Sequence, residues 1–214
     1  VSLRIDVGAR HALIGPNGAG KTTFVNLLTG VLAPTSGAVL LGGTGITVAT
    51  PERRVRLGLA RTFQINQLFL PMTPVETLAI AISEREGQGW RAFTRFGRAG
   101  RIGAEIDEIA ERFRLTDVLD APVATLPYGK QRLLEIALAF AARPRVLLLD
   151  EPAAGAPESE REELLSAVAD LPRDVAVLLI EHDMDLVFRF AERITVMVAG
   201  RVFKDGPAET IARD

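Results

Sequence analysis

A glycine-rich segment near the start of the chain has the residue types that a nucleoside triphosphate requires. Residues 15–22 follow the pattern G-x-x-x-x-G-K-T, directly after the apolar run 12–14. Glycines allow backbone N–H groups to turn toward phosphate oxygens, and the following helix adds the positive end of its dipole. Lys21 can reach the β- and γ-phosphates, and the Thr22 hydroxyl can bind Mg²⁺. The pattern predicts a triphosphate site formed by Gly15, Pro16, Asn17, Gly18, Ala19, Gly20, Lys21, Thr22 and Thr23.

A second segment supplies acidic side chains at the end of an apolar run. Residues 146–149 are continuously apolar, as in strands buried on both faces of a parallel sheet, and Asp150 and Glu151 follow directly. Ligands of open α/β sheets bind at the carboxyl ends of the strands, where we expect these acids to lie. Asp150 is predicted to coordinate Mg²⁺, and Glu151 to orient or deprotonate the attacking water. Alone, the pair would indicate a strand end, but behind a phosphate loop it predicts a hydrolytic site.

The elements that must position these groups alternate between strands and helices. Apolar patterns predict strands over 1–7, 12–14, 38–41, 59–64, 146–149 and 175–180, and a hairpin over 194–198 and 201–204. Helical periodicity predicts helices over 22–28, 51–57, 75–82, 104–114, 128–142, 158–171 and 183–191. The alternation predicts an α/β fold. Its nucleotide-binding core is predicted over 1–74 and 143–214, and a helical subdomain over 75–142.

The composition limits the classes of protein to consider. The 214 residues are 48% hydrophobic, which is enough for a packed core in one or two domains. A formal net charge of -2 argues against nucleic-acid binding, and the lack of cysteine excludes disulfide and thiol chemistry. No apolar run reaches the roughly 20 residues of a membrane helix, and no signal peptide is visible. We therefore expect the chain to reach a membrane only through a partner.

The order of the motifs resembles that of the ATP-binding subunits of ABC transporters. The phosphate loop is followed by Gln64 after a strand, by Leu-Pro-Tyr-Gly-Lys-Gln at 126–131 opening a helix, by Asp150-Glu151, and by His182 after a strand. The resemblance covers essentially the whole chain. It implies a P-loop NTPase core with a mostly parallel sheet, an antiparallel β part near the N-terminus and a helical signature subdomain. It also implies the cofactors ATP and Mg²⁺, and ATP hydrolysis coupled to transmembrane transport.

The resemblance assigns roles to individual residues. Gln64 is implied to contact Mg²⁺ and the attacking water, and His182 to donate to the γ-phosphate. Gly129 is implied to present its N–H to the ATP of a partner subunit, although Pro127 and Tyr128 replace the Ser and first Gly of the family pattern. The implied catalytic residues are Glu151, His182 and Gln64, and the implied metal ligands are Thr22, Gln64 and Asp150.

Several stretches narrow the resemblance to the branched-chain amino-acid uptake subfamily. They are Ala-Arg-Thr-Phe-Gln at 60–64, Tyr-Gly at 128–129 with Leu-Glu-Ile-Ala at 134–137, Asp-Glu-Pro-Ala-Ala-Gly at 150–155, and Ile-Glu-His-Asp-Met at 180–184. The implied partners are a multi-span membrane permease, a second ATP-binding subunit and, indirectly, a solute-binding protein. The implied location is peripheral, on the cytoplasmic face of the inner membrane. The permease is expected to contact residues 68–77.

Two other classes of protein stay open at this point. A soluble ABC-type ATPase of DNA repair or translation would usually carry long coiled coils or tandem cassettes. A small-molecule kinase would share the phosphate loop but leave Gln64, Gly129 and His182 unexplained. The Arg- and aromatic-rich run 90–98 is interpreted as a solvated insertion rather than a nucleic-acid or lipid surface. His11 matches no motif and is expected at the surface.

Overall fold

A computed structural model describes residues 1–62, 68–87 and 100–213. The strands in this part are β1 Arg10–Ile14, β2 Leu40–Leu41, β3 Thr44–Gly45, β4 Leu59–Arg61, β5 Val146–Asp150, β6 Ala176–Ile180, β7 Arg193–Val198 and β8 Arg201–Pro207. The α-helices are α1 Lys21–Thr29, α2 Pro51–Arg56, α3 Pro74–Arg85, α4 Arg101–Arg112, α5 Tyr128–Ala141, α6 Glu158–Ala169, α7 Met184–Phe190 and α8 Ala208–Ile211. Within these ranges, no helix combines the length and the apolar character needed to cross a bilayer.

Six strands form one sheet in the order β4-β5-β6-β1-β7-β8. All neighbours are parallel except the β7–β8 hairpin, and β2 pairs with β3 in a separate antiparallel ribbon. This is the predicted α/β fold, with a mostly parallel sheet and an antiparallel part near the N-terminus. Because the parallel strands run in one direction, β1 and β5 end at the same edge of the sheet.

The central strand β1 is buried on both faces, as expected for a parallel sheet covered by helices. Leu13 packs on one face in a cluster that includes Val25 of α1 and Leu148 of β5. Ala12 and Ile14 point to the other face and join a second cluster with residues of α7 and β7. Alternate side chains of one strand therefore anchor two layers, which fixes the strand that leads into the phosphate loop.

The described chain divides into two compact units. The first comprises residues 1–62, 144–151 and 172–213, and contains the sheet and the phosphate loop. The second comprises the described residues between 68 and 143 together with 152–171. In this second unit, α5 packs against α3, α4 and α6. The division at residues 74 and 142 drawn from the sequence stays a prediction.

Two expectations from the sequence are wrong. Residues 1–7 form no strand, and of their alternating apolar residues Leu3 and Ile5 are half-buried while Val1 and Val7 are exposed. Alternation indicates a face to bury, but a strand also needs a neighbouring strand to pair with its backbone. His11 is not at the surface: it lies inside β1 and is fully buried.

Candidate functional site

The phosphate loop connects β1 to α1 and adopts conformations that need glycine. Gly15, Gly18 and Gly20 have φ values of 151°, 79° and 96°. A Cβ atom at Gly15 would lie 2.2 Å from the carbonyl oxygen of Met197, so no side chain fits there. Gly20 is the N-cap of α1 and provides no side-chain acceptor. The first N–H groups of α1 therefore have no side-chain cap, which suits an anion at this helix end.

Lys21 folds back over the same loop. Its ammonium donates to the carbonyl oxygen of Gly15 at 2.6 Å and to that of Pro16 at 3.3 Å. Thr22 and Thr23, the next two residues of α1, are exposed. The loop thus brings together backbone donors, one cation and two hydroxyl groups, which are the groups that bind a phosphate chain.

Asp150 ends β5 with a buried carboxylate that pairs with Arg61 of β4. Arg61 Nη2 donates to Asp150 Oδ2 at 2.6 Å, and Arg61 Nη1 donates to Asn26 Oδ1 of α1 at 2.8 Å. Asn26 lies one turn after Thr22, on the same face of α1. The Arg61 guanidinium thus links Asp150 to the face of α1 that carries Thr22. The sequence pattern included Arg61 only within the family motif at 60–64 and did not predict its contact with Asp150.

Glu151 and His182 lie together at the ends of β5 and β6. Glu151 has a φ of 47°, a left-handed conformation that is uncommon for a residue with a side chain. Its N–H donates to the carbonyl oxygen of Ile180 at 2.9 Å. Its Oε1 lies 3.5 Å from Nδ1 of His182, whose side chain is 66% exposed. The structure therefore brings the predicted acid and histidine into contact, with the imidazole open to solvent.

Glu181 adds a second carboxylate beside His182. Its Oε2 accepts a hydrogen bond from the His182 N–H at 3.1 Å and lies 3.8 Å from Nδ1. Burial raises the pKa of the Glu181 carboxyl, and the His182 N–H opposes that shift. Sequence reasoning missed this group, which was visible only as the acid between a buried strand and His182.

The Leu-Pro-Tyr-Gly-Lys-Gln segment at 126–131 lies in the second unit, where α5 begins. The Tyr128 hydroxyl donates to the carbonyl oxygen of Ala154 at 2.8 Å and accepts from Arg132 Nε at 2.9 Å. The Gly129 N–H donates to Glu160 Oε2 of α6 at 2.5 Å. The group that the resemblance assigns to a partner's ATP is thus engaged by a carboxylate of its own chain. Sequence reasoning did not identify Glu160.

A cavity of about 600 Å³ adjoins the phosphate loop in the first unit. Its lining includes Gly18, Gly20, Thr23, Phe24 and Gly200. This volume lies within the range of small-molecule sites, and the mixture of backbone amide, hydroxyl and aromatic groups is typical of them. The cavity extends the anion-binding loop toward a region that can accept a less polar group.

Thr22 and Asp150 supply oxygen ligands that fit a metal ion bound together with the phosphates. In the described ranges, no group of three or more His, Cys, Asp or Glu residues is arranged to hold a metal ion. Mg²⁺ commonly takes one or two protein oxygens and completes its shell with phosphate oxygens and water, which suits Thr22 and Asp150. Gln64, the third predicted ligand and a predicted catalytic residue, lies outside the described residues, as does the run 90–98.

Strand, phosphate loop and helix, with an acid pair at the same sheet edge, define a P-loop ATPase core. Residues 1–154 match the ABC transporter family. The chain is 40% identical to the high-affinity branched-chain amino acid transport ATP-binding protein BraF of Pseudomonas aeruginosa, over 99% of this chain and 86% of that protein. It is 39% identical to LivG of Escherichia coli K12, which bears the same description, over 94% and 81%. The ADP conformation of MJ1267, an ATP-binding cassette of an ABC transporter, superposes with a TM-score of 0.83 and 28% identity, covering 100% of this chain and 87% of that chain.

The chain belongs to the ABC transporter family, among its branched-chain amino acid transport ATP-binding proteins. The predicted family, fold class and enzyme class, an ATP-hydrolysing cassette, are confirmed. The similar proteins named above are transport subunits, and they give no support to the DNA-repair alternative.

Proposed function

We propose that this chain is the ATP-binding and ATP-hydrolysing subunit of an importer for branched-chain or other hydrophobic amino acids. The observation that carries the proposal is the shared sheet edge, at which β1 leads into the phosphate loop and β5 ends in Asp150, followed by Glu151. The identity to BraF and LivG supports the solute class, because their names specify branched-chain amino acid transport.

The binding step uses the loop and the start of α1. The backbone N–H groups of residues 15–20 and the first turn of α1 surround the phosphates, and Lys21 neutralises their charge. To do so, its ammonium exchanges the carbonyl oxygens of Gly15 and Pro16 for phosphate oxygens. Thr22 and Asp150, with Gln64 as a further ligand, would hold Mg²⁺. The metal would supply positive charge to offset that of the phosphate oxygens.

The hydrolytic step uses the pair at the ends of β5 and β6. Glu151 accepts a proton from the attacking water, and its contact with His182 supports this role because it orients the carboxylate. His182 donates to the γ-phosphate oxygens as negative charge develops there. Gln64 orients the water. Gly129 contributes its N–H to the ATP of a second subunit, so a competent site requires two chains.

The proposed function also requires partner subunits and a location at the membrane. A second ATP-binding subunit and a multi-span permease are the direct partners, and a solute-binding protein acts indirectly. The chain binds the permease at the cytoplasmic face of the inner membrane. The exposed side chains of Phe69 and Leu70, within the stretch 68–77, support a contact with an apolar segment of that permease.

The Glu151→Gln variant tests the catalytic assignment. The amide keeps the shape of the side chain but is a very weak base, so ATP binding should persist while hydrolysis falls by at least about 100-fold. Glu209→Gln, which changes an exposed acid of α8, is the matched control and should hydrolyse ATP like the wild type. Undiminished turnover in Glu151→Gln would show that Glu151 is not the base.

Uptake by whole cells tests the solute class. Deleting the gene should abolish uptake of labelled leucine and leave uptake of labelled ribose unchanged. The wild-type gene should restore leucine uptake, and the gene for Glu151→Gln should not. Leucine uptake that persists in the deletion strain, with a compensating transporter excluded, would contradict the assigned solute class but not the ATPase assignment.

A further inference from the structure

The end of β4 carries a cation for which the proposed reaction has assigned no role. Arg61 is in register with Leu148 of β5, so Asp150, two residues farther along, lies on the same face of the sheet. A long side chain can reach such a diagonal neighbour. The Arg61 guanidinium does so and, with its other nitrogen, also reaches Asn26 of α1.

The burial of this group makes the contact energetically important. The side chains of Arg61 and Asp150 are only 12% and 7% exposed. A carboxylate removed from water in this way requires a compensating charge. The guanidinium is planar and rigid, so two hydrogen bonds to different elements also fix its direction. The orientation of Asp150 therefore depends on α1 as well as on its own strand.

We propose that Arg61 is a positioning residue for the metal site. By binding Asp150 Oδ2 and Asn26 Oδ1, it holds the carboxylate toward the face of α1 that carries Thr22. The inference rests on the proposed function, in which Thr22 and Asp150 hold Mg²⁺ with the nucleotide. Outer groups that orient a metal ligand commonly contribute roughly 10- to 100-fold to metal affinity.

Positioning and charge repulsion by Arg61 have opposite effects on Mg²⁺ binding, so the direction of the change in the variants distinguishes them. Arg61 also repels a second cation, so if repulsion dominated, its removal would tighten Mg²⁺ binding. A carboxylate that loses its hydrogen bond to the guanidinium is instead no longer held in one direction, and it is then a poorer ligand. Positioning therefore predicts weaker Mg²⁺ binding in Arg61→Met. It predicts weaker binding in Arg61→Lys as well, because a lysine keeps the charge but cannot span both partners.

The test measures how Mg²⁺ affects nucleotide affinity in the variants Arg61→Lys, Arg61→Met and Asn26→Ala. Calorimetry with the slowly hydrolysed analogue adenylyl imidodiphosphate is run in EDTA and over a series of Mg²⁺ concentrations. Electron paramagnetic resonance of Mn²⁺ with the same analogue reports on the metal directly. Arg53→Met, at an exposed arginine of α2, is the control.

We expect affinity in EDTA to stay within about two-fold of wild type in every variant. The Mg²⁺ concentration for half-maximal effect should rise by roughly ten-fold or more in both Arg61 variants, and by a smaller factor in Asn26→Ala. Arg53→Met should match the wild type. If Arg61→Met does not fold, the other two variants carry the test.

An unchanged or lower Mg²⁺ requirement in Arg61→Lys and Arg61→Met would overturn the positioning role. So would an equal rise in the Arg53→Met control. If the wild-type chain itself shows no Mg²⁺-dependent nucleotide binding, the proposed function fails. A wild type that responds to Mg²⁺ beside unaffected Arg61 variants rejects the role of Arg61 alone.

Discussion

Replacing Glu160 by glutamine should make ATP-dependent association of two chains easier. Glu160 Oε2 accepts the N–H of Gly129 at 2.5 Å, at the start of the 14-residue helix α5. In the proposed reaction, this same N–H binds the γ-phosphate held by a partner subunit. A carboxylate and a phosphate oxygen compete for one donor, so Glu160 must leave before the partner's nucleotide binds there.

The size of the effect follows from the type of hydrogen bond. A hydrogen bond to a charged group contributes roughly 1.5–3 kcal/mol, and a neutral one roughly 0.5–1.5 kcal/mol. The carboxylate is also stabilised by the positive end of α5, by about 0.3–1 kcal/mol. Glu160→Gln should therefore weaken the resting contact by about 1–2 kcal/mol. That energy corresponds to an approximately 5- to 30-fold lower ATP concentration for half-maximal dimerisation.

The assay is light scattering after size exclusion, with ATP titrated into chains that also carry Glu151→Gln to slow hydrolysis. Glu111→Gln, at an exposed acid of α4 in the same compact unit, is the control and should leave the midpoint unchanged. The same Glu160→Gln chain should be about 1–2 kcal/mol less stable to urea, because the resting contact is weakened. A midpoint equal to or above that of the control would refute the competition between Glu160 and phosphate.

Two further predictions concern stability. Arg54 is 1% exposed and donates to the backbone carbonyl oxygens of Leu27, Leu28, Thr47 and Ala49. Arg54→Met should therefore lower the free energy of unfolding in urea by about 3–5 kcal/mol, since each of these four partly buried carbonyls, left without a donor, costs about 1 kcal/mol. Arg53→Met should change the free energy of unfolding little, and equal losses in the two variants would contradict this role. Burial lowers the pKa of His11, so its neutral form stabilises the fold fully above the unfolded value of about 6.5, and this contribution is lost as the pH falls below that value. Urea unfolding between pH 7 and 5 should show a steeper loss in the wild type than in His11→Gln, by at most about 1.4 kcal/mol per pH unit, and parallel profiles would contradict it.

The structure explains why His11 was misjudged. The Thr195 hydroxyl donates to Asp205 Oδ1 at 2.7 Å, so its oxygen is left to accept from Nε2–H of His11, which lies 2.7 Å away. Nδ1 is buried and has no hydrogen-bond partner in the described part of the chain. A polar residue that precedes an apolar run is usually exposed, but here β7 and β8 supply partners almost two hundred residues away. No local pattern contains that information.

The parts of the site that could be predicted are those encoded locally. The glycine spacing, the lysine and the following helix are contiguous, and the apolar run before Asp150 identifies a buried strand by itself. The contacts of Arg61 with Asp150 and of Glu160 with Gly129 join residues 89 and 31 positions apart. Such contacts depend on strand register and helix packing, which one sequence does not specify. The expectation of a strand over residues 1–7 was wrong for the same reason, because the pairing of one strand with another is not a local property.

Calorimetry of nucleotide binding by the wild-type chain and by Lys21→Ala tests the central claim most directly. We expect the wild type to bind adenylyl imidodiphosphate with an affinity that rises when Mg²⁺ is added. Lys21→Ala should lose at least about ten-fold in affinity, since a charge-assisted contact to phosphate is removed. Lys204→Ala, on β8, should bind like the wild type. Nucleotide binding that is absent, insensitive to Mg²⁺ or unaffected by Lys21→Ala would contradict the assignment of the phosphate loop and its acid partner.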